Sequence, residues 1–355
     1  MKVLVTGASG YLGNKLAMEL ARSGNKVHAL IRSDASTKYL QHANIRIFYG
    51  DILDKKKVLD AIENCSQVYH TAACVSVWES DPSVYYAVNV QGTRNVLDAA
   101  LNAGVEKFVF TSTCGAIGYS LSDPIGEDEA QSYNEFSDYD ESKRQAEEMV
   151  FAYRVRGLEV VIVSPTKIYG PGHTSHALTT NTVIKKFIEK GITFVPAPGS
   201  FKICLAFIDD VVNGHIMAME KGKSGGKYIL GGINCSYLEF FSQIRELAFC
   251  KGKIIPLSKN VLKVIGHLLK LNYKITGRHP AFAAKRVSYV FHDYIFCSDK
   301  AINQLGYRIT PLHEALTETI GYLKKQKKDN VVLQYNRMYK PHMGKLVDIE
   351  TTAHL

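Results

Sequence analysis

Hydrophobic and polar positions follow two alternating periods along the first half of the chain. Short, nearly continuous apolar runs are typical of parallel strands buried on both faces. They fall at Lys2–Thr6, Lys26–Ile31, Ile45–Tyr49, Gln67–Thr71, Lys107–Ser112 and Leu158–Val163. Between them, a 3.6-residue period predicts helices at Leu12–Ser23, Asp54–Glu63, Val84–Ala103 and Tyr139–Arg156. This alternation predicts an α/β fold built on a doubly wound parallel sheet.

The alternation ends after Pro165, and the later pattern predicts a smaller lobe interleaved with the first. We expect a first lobe over residues 1–165 that takes in later elements from about residues 204–232. The smaller C-terminal lobe is expected over residues 166–325. Periodicity fades beyond it, so residues 326–355 are expected to form a basic, loosely held tail.

Lysines interrupt the longest apolar stretch late in the chain, near Leu257–Leu271. The stretch is too short to span a bilayer. Two interpretations stay open for its helix. In the first, the helix lies on a membrane surface and would admit a lipid-like substrate. In the second, it is an amphipathic helix that packs against the rest of the protein. The second is favoured, and peripheral membrane contact remains an alternative.

Composition is that of a packed chain rather than a disordered or repetitive one. Of 355 residues, 46% are apolar and 22% are charged. The formal net charge of +9 is uneven, because residues 251–355 hold 18 basic and 7 acidic residues. A basic last third can meet nucleic acid, acidic lipid or a phosphorylated ligand, but a solvated basic tail is the favoured interpretation, so no nucleic-acid partner is expected.

The cysteine spacing and the N-terminal residues predict whether the protein binds a metal and in which cellular compartment it lies. The seven cysteines are an odd number with no C-x-x-C pair, which argues against a zinc site and a secreted disulfide framework. No metal is therefore expected. Met1 and Lys2 run directly into the first apolar strand without a signal peptide, which predicts a reduced, cytoplasmic protein.

Three glycines follow the first strand at a spacing of three. Gly7 permits a tight turn, Gly10 allows close approach of a pyrophosphate, and Gly13 lets the helix pack on the strand. Free N–H groups and the positive end of the helix dipole would then face phosphates. The loop predicts a dinucleotide cofactor, held by Gly7, Gly10, Tyr11, Leu12 and Gly13.

The next strand ends supply the remaining cofactor candidates. Arg32 follows the second strand, where a guanidinium fork suits a ribose 2′-phosphate, so NADP(H) is preferred. If Arg32 stacks on adenine and Asp34 takes the ribose instead, NAD(H) would bind, and this alternative stays open. Further candidates at the ends of strands three and four are Asp51, Ile52, Thr71, Ala72 and Ala73.

A tyrosine and a lysine one helical turn apart form the candidate catalytic pair. Tyr139 and Lys143 share a helix face, and a nearby ammonium lowers the pKa of a phenol from its usual value of about 10. Such a tyrosine exchanges a proton with an alcohol or carbonyl oxygen. Thr113, at the end of the fifth strand, would hydrogen-bond the same oxygen.

These motifs together resemble the extended short-chain dehydrogenase/reductases, a Rossmann-fold family, over about residues 1–325. Within that family, Val109–Thr113 and Tyr228–Gly232 look closest to the dihydroflavonol reductase-like branch, and especially to farnesol dehydrogenase. The resemblance implies that Thr113, Tyr139 and Lys143 form the catalytic triad and that Lys143 also touches the nicotinamide ribose. It places Pro165 and Ile168 along the nicotinamide. Departures are Ser164 before Pro165, where arginine is frequent, and Thr113 in place of serine.

The expected activity is hydride transfer between a nicotinamide and an alcohol or carbonyl of a small hydrophobic substrate such as an isoprenoid alcohol, a flavonoid ketone or a steroid. Apolar candidates for the pocket or the core of the second lobe are Phe187, Phe194, Phe201 and Phe207. An NAD-dependent sugar-nucleotide epimerase is the alternative, with Arg278 and Arg286 available for a diphosphate. A non-catalytic nucleotide-sensing relative is disfavoured because both Tyr139 and Lys143 are present. A homodimer is left open.

Overall fold

A computed structural model describes residues 1–75, 79, 81–120, 123–127, 129, 137–173, 180–276 and 287–326, without the side chains of residues 34–36, 270, 274 and 288. The strands in these ranges are β1 (Lys2–Thr6), β2 (Lys26–Ile31), β3 (Ile45–Tyr49), β4 (Gln67–His70), β5 (Lys107–Thr111), β6 (Glu159–Pro165), β7 (Lys167–Tyr169), β8 (Ile192–Pro196), β9 (Lys202–Phe207), β10 (Lys227–Leu230), β11 (Ile233–Ser236) and β12 (Lys253–Leu257). The helices are α1 (Tyr11–Arg22), α2 (Lys55–Ile62), α3 (Ser83–Tyr86), α4 (Thr93–Asn102), α5 (Asp138–Val155), α6 (Thr180–Lys190), α7 (Ile208–Lys221), α8 (Tyr237–Leu247), α9 (Lys259–Thr276), α10 (Asp299–Leu305) and α11 (residues 312–326).

The central sheet has seven strands, all parallel, in the order β10-β6-β5-β4-β1-β2-β3. The strand order reverses between β1 and β4, and the carboxyl ends of these neighbouring strands open a crevice where ligands bind in such folds. The doubly wound parallel sheet predicted from the alternating pattern is thereby confirmed.

Side chains on successive positions of each strand point to opposite faces, and each face has its own core. Val3 and Val5 of β1 pack on the side of α1 and α7, in the larger apolar cluster. Leu4, between them, packs with α2, α4 and α5 on the other side. Burial on both faces explains why the strands read as continuous apolar runs.

Elements after β6 are divided between the large sheet and a second group. The strand β10 pairs with β6 and completes the seven-stranded sheet, although it follows β6 by sixty residues. The strands β7, β9 and β11 form a separate sheet, and β8 pairs with β12. The second group therefore lies along the chain between elements of the first.

Two predictions of local structure were incomplete. The predicted helix Val84–Ala103 is three helical segments, because residues Ala87–Gly92 adopt a π-helix between α3 and α4. The short strands β7, β8, β11 and β12 were missed. They have three to five residues each, and β8 and β12 contain proline, so no two-residue period is visible.

The helix α9 carries apolar residues on two sides. Leu262, Ile265 and Leu269 are half-buried, whereas Val264 and Leu268 are exposed. We predicted that the apolar side of this helix packs against the protein. One apolar face of α9 is half-buried in this way, and the other is exposed. No helix within the described ranges is long and apolar enough to cross a bilayer.

Candidate active site

The glycine loop lies where β1 meets α1. Gly7 adopts φ +70°, which favours glycine, and the N-terminus of α1 is capped by Gly10 without a side-chain hydrogen bond. A Cβ at Gly13 would collide with the Gly7 carbonyl and lie 2.5 Å from Thr71 Oγ1. The loop therefore presents uncapped N–H groups at a helix N-terminus, an arrangement that suits phosphate.

The end of β4 packs directly against this loop. Thr71 Oγ1 donates to the Thr6 carbonyl at 2.7 Å, and Ala72 N donates to Thr6 Oγ1 at 3.3 Å. A Cβ at Gly7 would lie 2.7 Å from Ala72 Cα. The candidates Thr71, Ala72 and Ala73 therefore border the glycine loop at the topological switch point.

Two loop residues have side chains engaged elsewhere. Tyr11 Oη donates to the Gly170 carbonyl at 2.7 Å and accepts from Asn181 Nδ2 at 3.2 Å, and burial raises its pKa well above its usual range. Leu12 is half-buried against the core. Only the backbone N–H groups of Tyr11 and Leu12 remain available for phosphate.

The other cofactor candidates follow β2 and β3, which lie beside β1. Arg32 is exposed at the end of β2. Asp51 Oδ1 accepts from Leu53 N at 2.9 Å, and the Ile52 carbonyl accepts from Asn95 Nδ2 at 3.0 Å. The side chain of Asp34, on which the NAD(H) alternative rests, is outside the described side chains. The strand order thus brings Arg32, Asp51 and the glycine loop to one edge of the sheet.

The catalytic pair begins α5. Ser137 and Asp140 form a capping box that fixes the first turn of the helix, with Asp140 N donating to Ser137 Oγ at 3.2 Å. The Lys143 side chain is only 1% exposed, and its Nζ lies 4.0 Å from the centroid of the Phe110 ring. Burial lowers the pKa of Lys143 to about 7, with Glu147 acting in the opposite direction. A buried ammonium of this kind gains more than an exposed one from a phenolate beside it.

Tyr139 and Thr113 line one cavity of about 140 Å³. Thr113 Oγ1 accepts from Gly115 N at 3.1 Å and caps the short turn Cys114–Ala116, which leaves its hydroxyl hydrogen as a donor. Pro165 lines the same cavity, whereas Ile168 packs against the core. The structure therefore brings together the phenol, the threonine hydroxyl and Pro165.

The remaining wall of the cavity comes from residues that the sequence pattern did not indicate. Thr166 and Lys167 supply polar groups, and an aromatic wall is formed by Tyr289, Tyr294 and Phe296. The phenylalanines proposed from the sequence lie elsewhere. Phe187 and Phe207 belong to the core, and Phe194 is 59% exposed. Arg278 and Arg286 fall outside the described residues.

A buried hydrogen-bond network joins the two halves of the site. Burial lowers the pKa of His70 to about 3, so its ring is neutral, and Nδ1 and Nε2 lie 2.7 Å and 3.0 Å from Thr6 Oγ1 and Thr93 Oγ1. Thr93 Oγ1 donates to the Asn89 carbonyl at 2.6 Å, so His70 Nε2 must donate to Thr93. The neutral ring then accepts the Thr6 hydroxyl hydrogen at Nδ1.

The network continues from the π-helix to the catalytic helix. Asn89 Nδ2 donates to Ser142 Oγ at 2.9 Å, and Ser142 Oγ donates to the Tyr139 carbonyl at 2.7 Å. Asn89 Oδ1 also accepts from Cys74 N at 2.8 Å. The structural roles of His70, Asn89 and Ser142 were not predicted. A polar residue at a buried strand end (His70) and one between valines (Asn89) are usable signals, whereas Ser142 lies in a polar helix and gives none.

The seven-stranded parallel sheet, with the glycine loop at its switch point, defines an α/β protein of the Rossmann type. The sequence model of the NAD dependent epimerase/dehydratase family matches residues 3–231, and the chain belongs to this family. This is the extended short-chain dehydrogenase/reductase family expected from the motifs.

Known relatives include reductases and sterol-modifying proteins. The chain is 35% identical to "Sterol demethylase protein B" of Methylococcus capsulatus over 70% of this chain and 74% of that one. It is 30% identical to a protein assigned as a dihydroflavonol 4-reductase in Synechocystis, over 91% and 96% of the two chains. The dihydroflavonol reductase-like resemblance is confirmed, and the closer likeness to farnesol dehydrogenase stays a prediction.

Among solved structures, the UDP-glucose 4-epimerase of Thermus thermophilus in complex with NAD superposes with a TM-score of 0.73 at 23% identity. The match covers 91% of this chain and 99% of that one, and it supports the fold.

Proposed function

We propose that this protein is an NAD(P)-dependent oxidoreductase that interconverts an alcohol and a carbonyl on a small hydrophobic substrate. One arrangement carries the proposal. The buried Lys143 lies one helical turn after Tyr139, and Tyr139 lines the same cavity as Thr113. In this arrangement a phenol and a second hydroxyl would act on a single substrate oxygen.

In the direction of reduction, Tyr139 donates its proton to the carbonyl oxygen, and in oxidation it accepts the proton of the alcohol. Lys143 stabilises the phenolate through charge, because the low-dielectric surroundings strengthen their attraction. Thr113 orients the substrate oxygen by donating its hydroxyl hydrogen. A bound nicotinamide would supply or accept the hydride at the carbinol carbon.

Residues at the edge of the sheet fit a dinucleotide. The glycine loop would receive the pyrophosphate on the N–H groups of α1, with Thr71, Ala72 and Ala73 beside it. Asp51 would accept a hydrogen bond from the adenine amino group. Arg32, exposed at the end of β2, would pair with a 2′-phosphate, which is why we propose a preference for NADP(H).

The cavity wall supports an apolar or aromatic substrate. Tyr289, Tyr294 and Phe296 give an aromatic surface in the cavity that Tyr139 and Thr113 also line, and Thr166 and Lys167 add polar groups. Relatives named for sterols and for a flavonoid ketone agree with this surface. We propose isoprenoid alcohols, flavonoid ketones and steroids as the first compounds to test.

The experiment is a substrate panel followed through cofactor absorbance. Purified protein is incubated with NADPH or NADH and with flavonoid ketones, keto-steroids and isoprenoid aldehydes, and with UDP-glucose in a separate arm. Turnover of a hydrophobic carbonyl that is lost in Tyr139→Phe supports the proposal. Stoichiometric NAD released on denaturation, together with epimerisation of UDP-glucose, would replace it with an epimerase.

A further inference from the structure

The helix α9 exposes a stripe of large apolar side chains. Val261, Val264, Leu268, Leu271 and Ile275 are each between 45% and 76% exposed. Their spacing alternates between three and four residues, so they share one face along about 21 Å of helix. The opposite apolar side of α9 is half-buried through Leu262, Ile265 and Leu269. Packing against the protein therefore leaves this stripe uncovered within the part of the chain that the structure describes.

Charge along the segment of the sequence that contains the stripe has one sign. Residues 247–292, which contain α9, include nine lysines and arginines and no aspartate or glutamate. Lys259 and Lys263, on the first two turns of α9, are exposed. An apolar helix face bordered by lysines is the pattern of a helix that lies in a membrane interface and is attracted by anionic lipid.

Two other candidates for covering the apolar stripe, a second copy of the chain and the C-terminal tail, are less compatible with the positive charge of this segment. A second copy packed face to face through the same stripe would bring the exposed Lys259 and Lys263 of both copies close together without an acidic residue in either segment 247–292, which costs energy by like-charge repulsion. The tail at residues 327–355 carries five basic and three acidic residues, so it offers no compensating charge. Anionic lipid supplies both an apolar layer and negative charge.

We infer that α9 is a peripheral membrane-docking helix, which places the Val261–Ile275 stripe in the acyl region of an anionic bilayer surface. The lysines contact lipid phosphates and carboxylates while the stripe leaves water. This docking does not depend on the catalytic activity proposed above, because no residue of α9 lines the cavity.

The test is sedimentation of the full-length protein with vesicles. Phosphatidylcholine vesicles are compared with vesicles containing roughly one-third phosphatidylserine, at low salt and at about 1 M salt. Binding to the anionic vesicles and release by salt are expected. Each lysine at the surface contributes about fivefold to affinity, so Lys259→Glu/Lys263→Glu should weaken binding at least about 25-fold.

Two further variants locate the apolar contact. Leu268→Ser/Leu271→Ser should lose about tenfold or more in affinity per leucine. Leu59→Ser/Val155→Ser, which changes two exposed apolar residues on α2 and α5, is the matched control and should bind as the wild type does. Circular dichroism melting verifies that every variant is folded.

Three results would overturn the inference. Absence of binding to anionic vesicles would do so, and so would equal binding by the wild type and the Leu268→Ser/Leu271→Ser variant. A concentration-dependent dimer that disappears in that variant, without vesicle binding, would show that the stripe joins two copies of the chain.

Discussion

Replacing Lys143 by methionine should make the apo protein more stable while abolishing turnover. The amine is 1% exposed, and burial lowers its pKa from 10.5 to about 7. At neutral pH the Lys143 amine is fully protonated in the unfolded chain, whereas in the native state it is protonated only about half of the time. Native stability therefore falls as pH decreases from about 10.5 to about 7 and is constant below that.

The shift corresponds to a cost of about 4 kcal/mol at about pH 7 and about 1–2 kcal/mol at about pH 9.5. The attraction between the Lys143 ammonium and the Phe110 ring, whose centroid is 4.0 Å away, offsets about 1–2 kcal/mol of this cost. Methionine fills a similar volume without charge. We therefore expect Lys143→Met to gain about 2–3 kcal/mol at about pH 7, and the gain to shrink at about pH 9.5.

The assay is urea unfolding of cofactor-free protein at both pH values, monitored by circular dichroism. Lys186→Met, at an exposed position on α6, is the matched control and should change stability by less than about 0.5 kcal/mol. A Lys143→Met protein that is less stable than the wild type at about pH 7, or whose gain does not depend on pH, would refute the reasoning.

Three other substitutions test the cofactor and substrate groups. Arg32→Ala should weaken NADPH binding roughly tenfold or more and leave NADH binding nearly unchanged, as measured by fluorescence titration; equal loss for both cofactors would remove the 2′-phosphate role. Gly13→Ala should weaken binding of both cofactors and destabilise the fold by about 1–3 kcal/mol, because its Cβ meets the Gly7 carbonyl. Gly321→Ala, at an exposed position inside α11 where the Cβ meets no atom within 4 Å, should leave cofactor binding unchanged and stabilise the fold by about 0.5–1 kcal/mol. Thr113→Val should lower kcat roughly 100-fold while Thr113→Ser retains most activity, and equal rates in the two variants would contradict the orienting role.

The first lobe was predictable because its signals are local. The strands β1, β2 and β3 have the predicted bounds, since each is an apolar run ended by a polar or glycine residue. The four-residue spacing predicts that Tyr139 and Lys143 share a helix face, and their position after strand five and the glycine loop indicated a catalytic pair. The burial of Lys143, which is 1% exposed, could not be predicted from the sequence.

The cavity wall was not predictable, because Tyr289 and Phe296 reach Thr113 only through the tertiary fold. Hydrophobic periodicity also could not predict which face of α9 is buried, because apolar residues occupy two faces of this helix. The Tyr11 side chain illustrates a third limit. It belongs to the cofactor loop by position but bonds to Gly170 and Asn181, which are more than 150 residues away.

The most direct test of the Tyr139–Lys143 proton relay is a comparison of Tyr139→Phe with the wild type in two assays. The substitution removes only the phenolic oxygen, so cofactor affinity measured by fluorescence titration should stay within about twofold. Turnover of the best carbonyl from the substrate panel should fall by roughly 100-fold to 10,000-fold. Turnover within a few-fold of the wild type, with the cofactor bound, would contradict the assignment of Tyr139 as the acid/base.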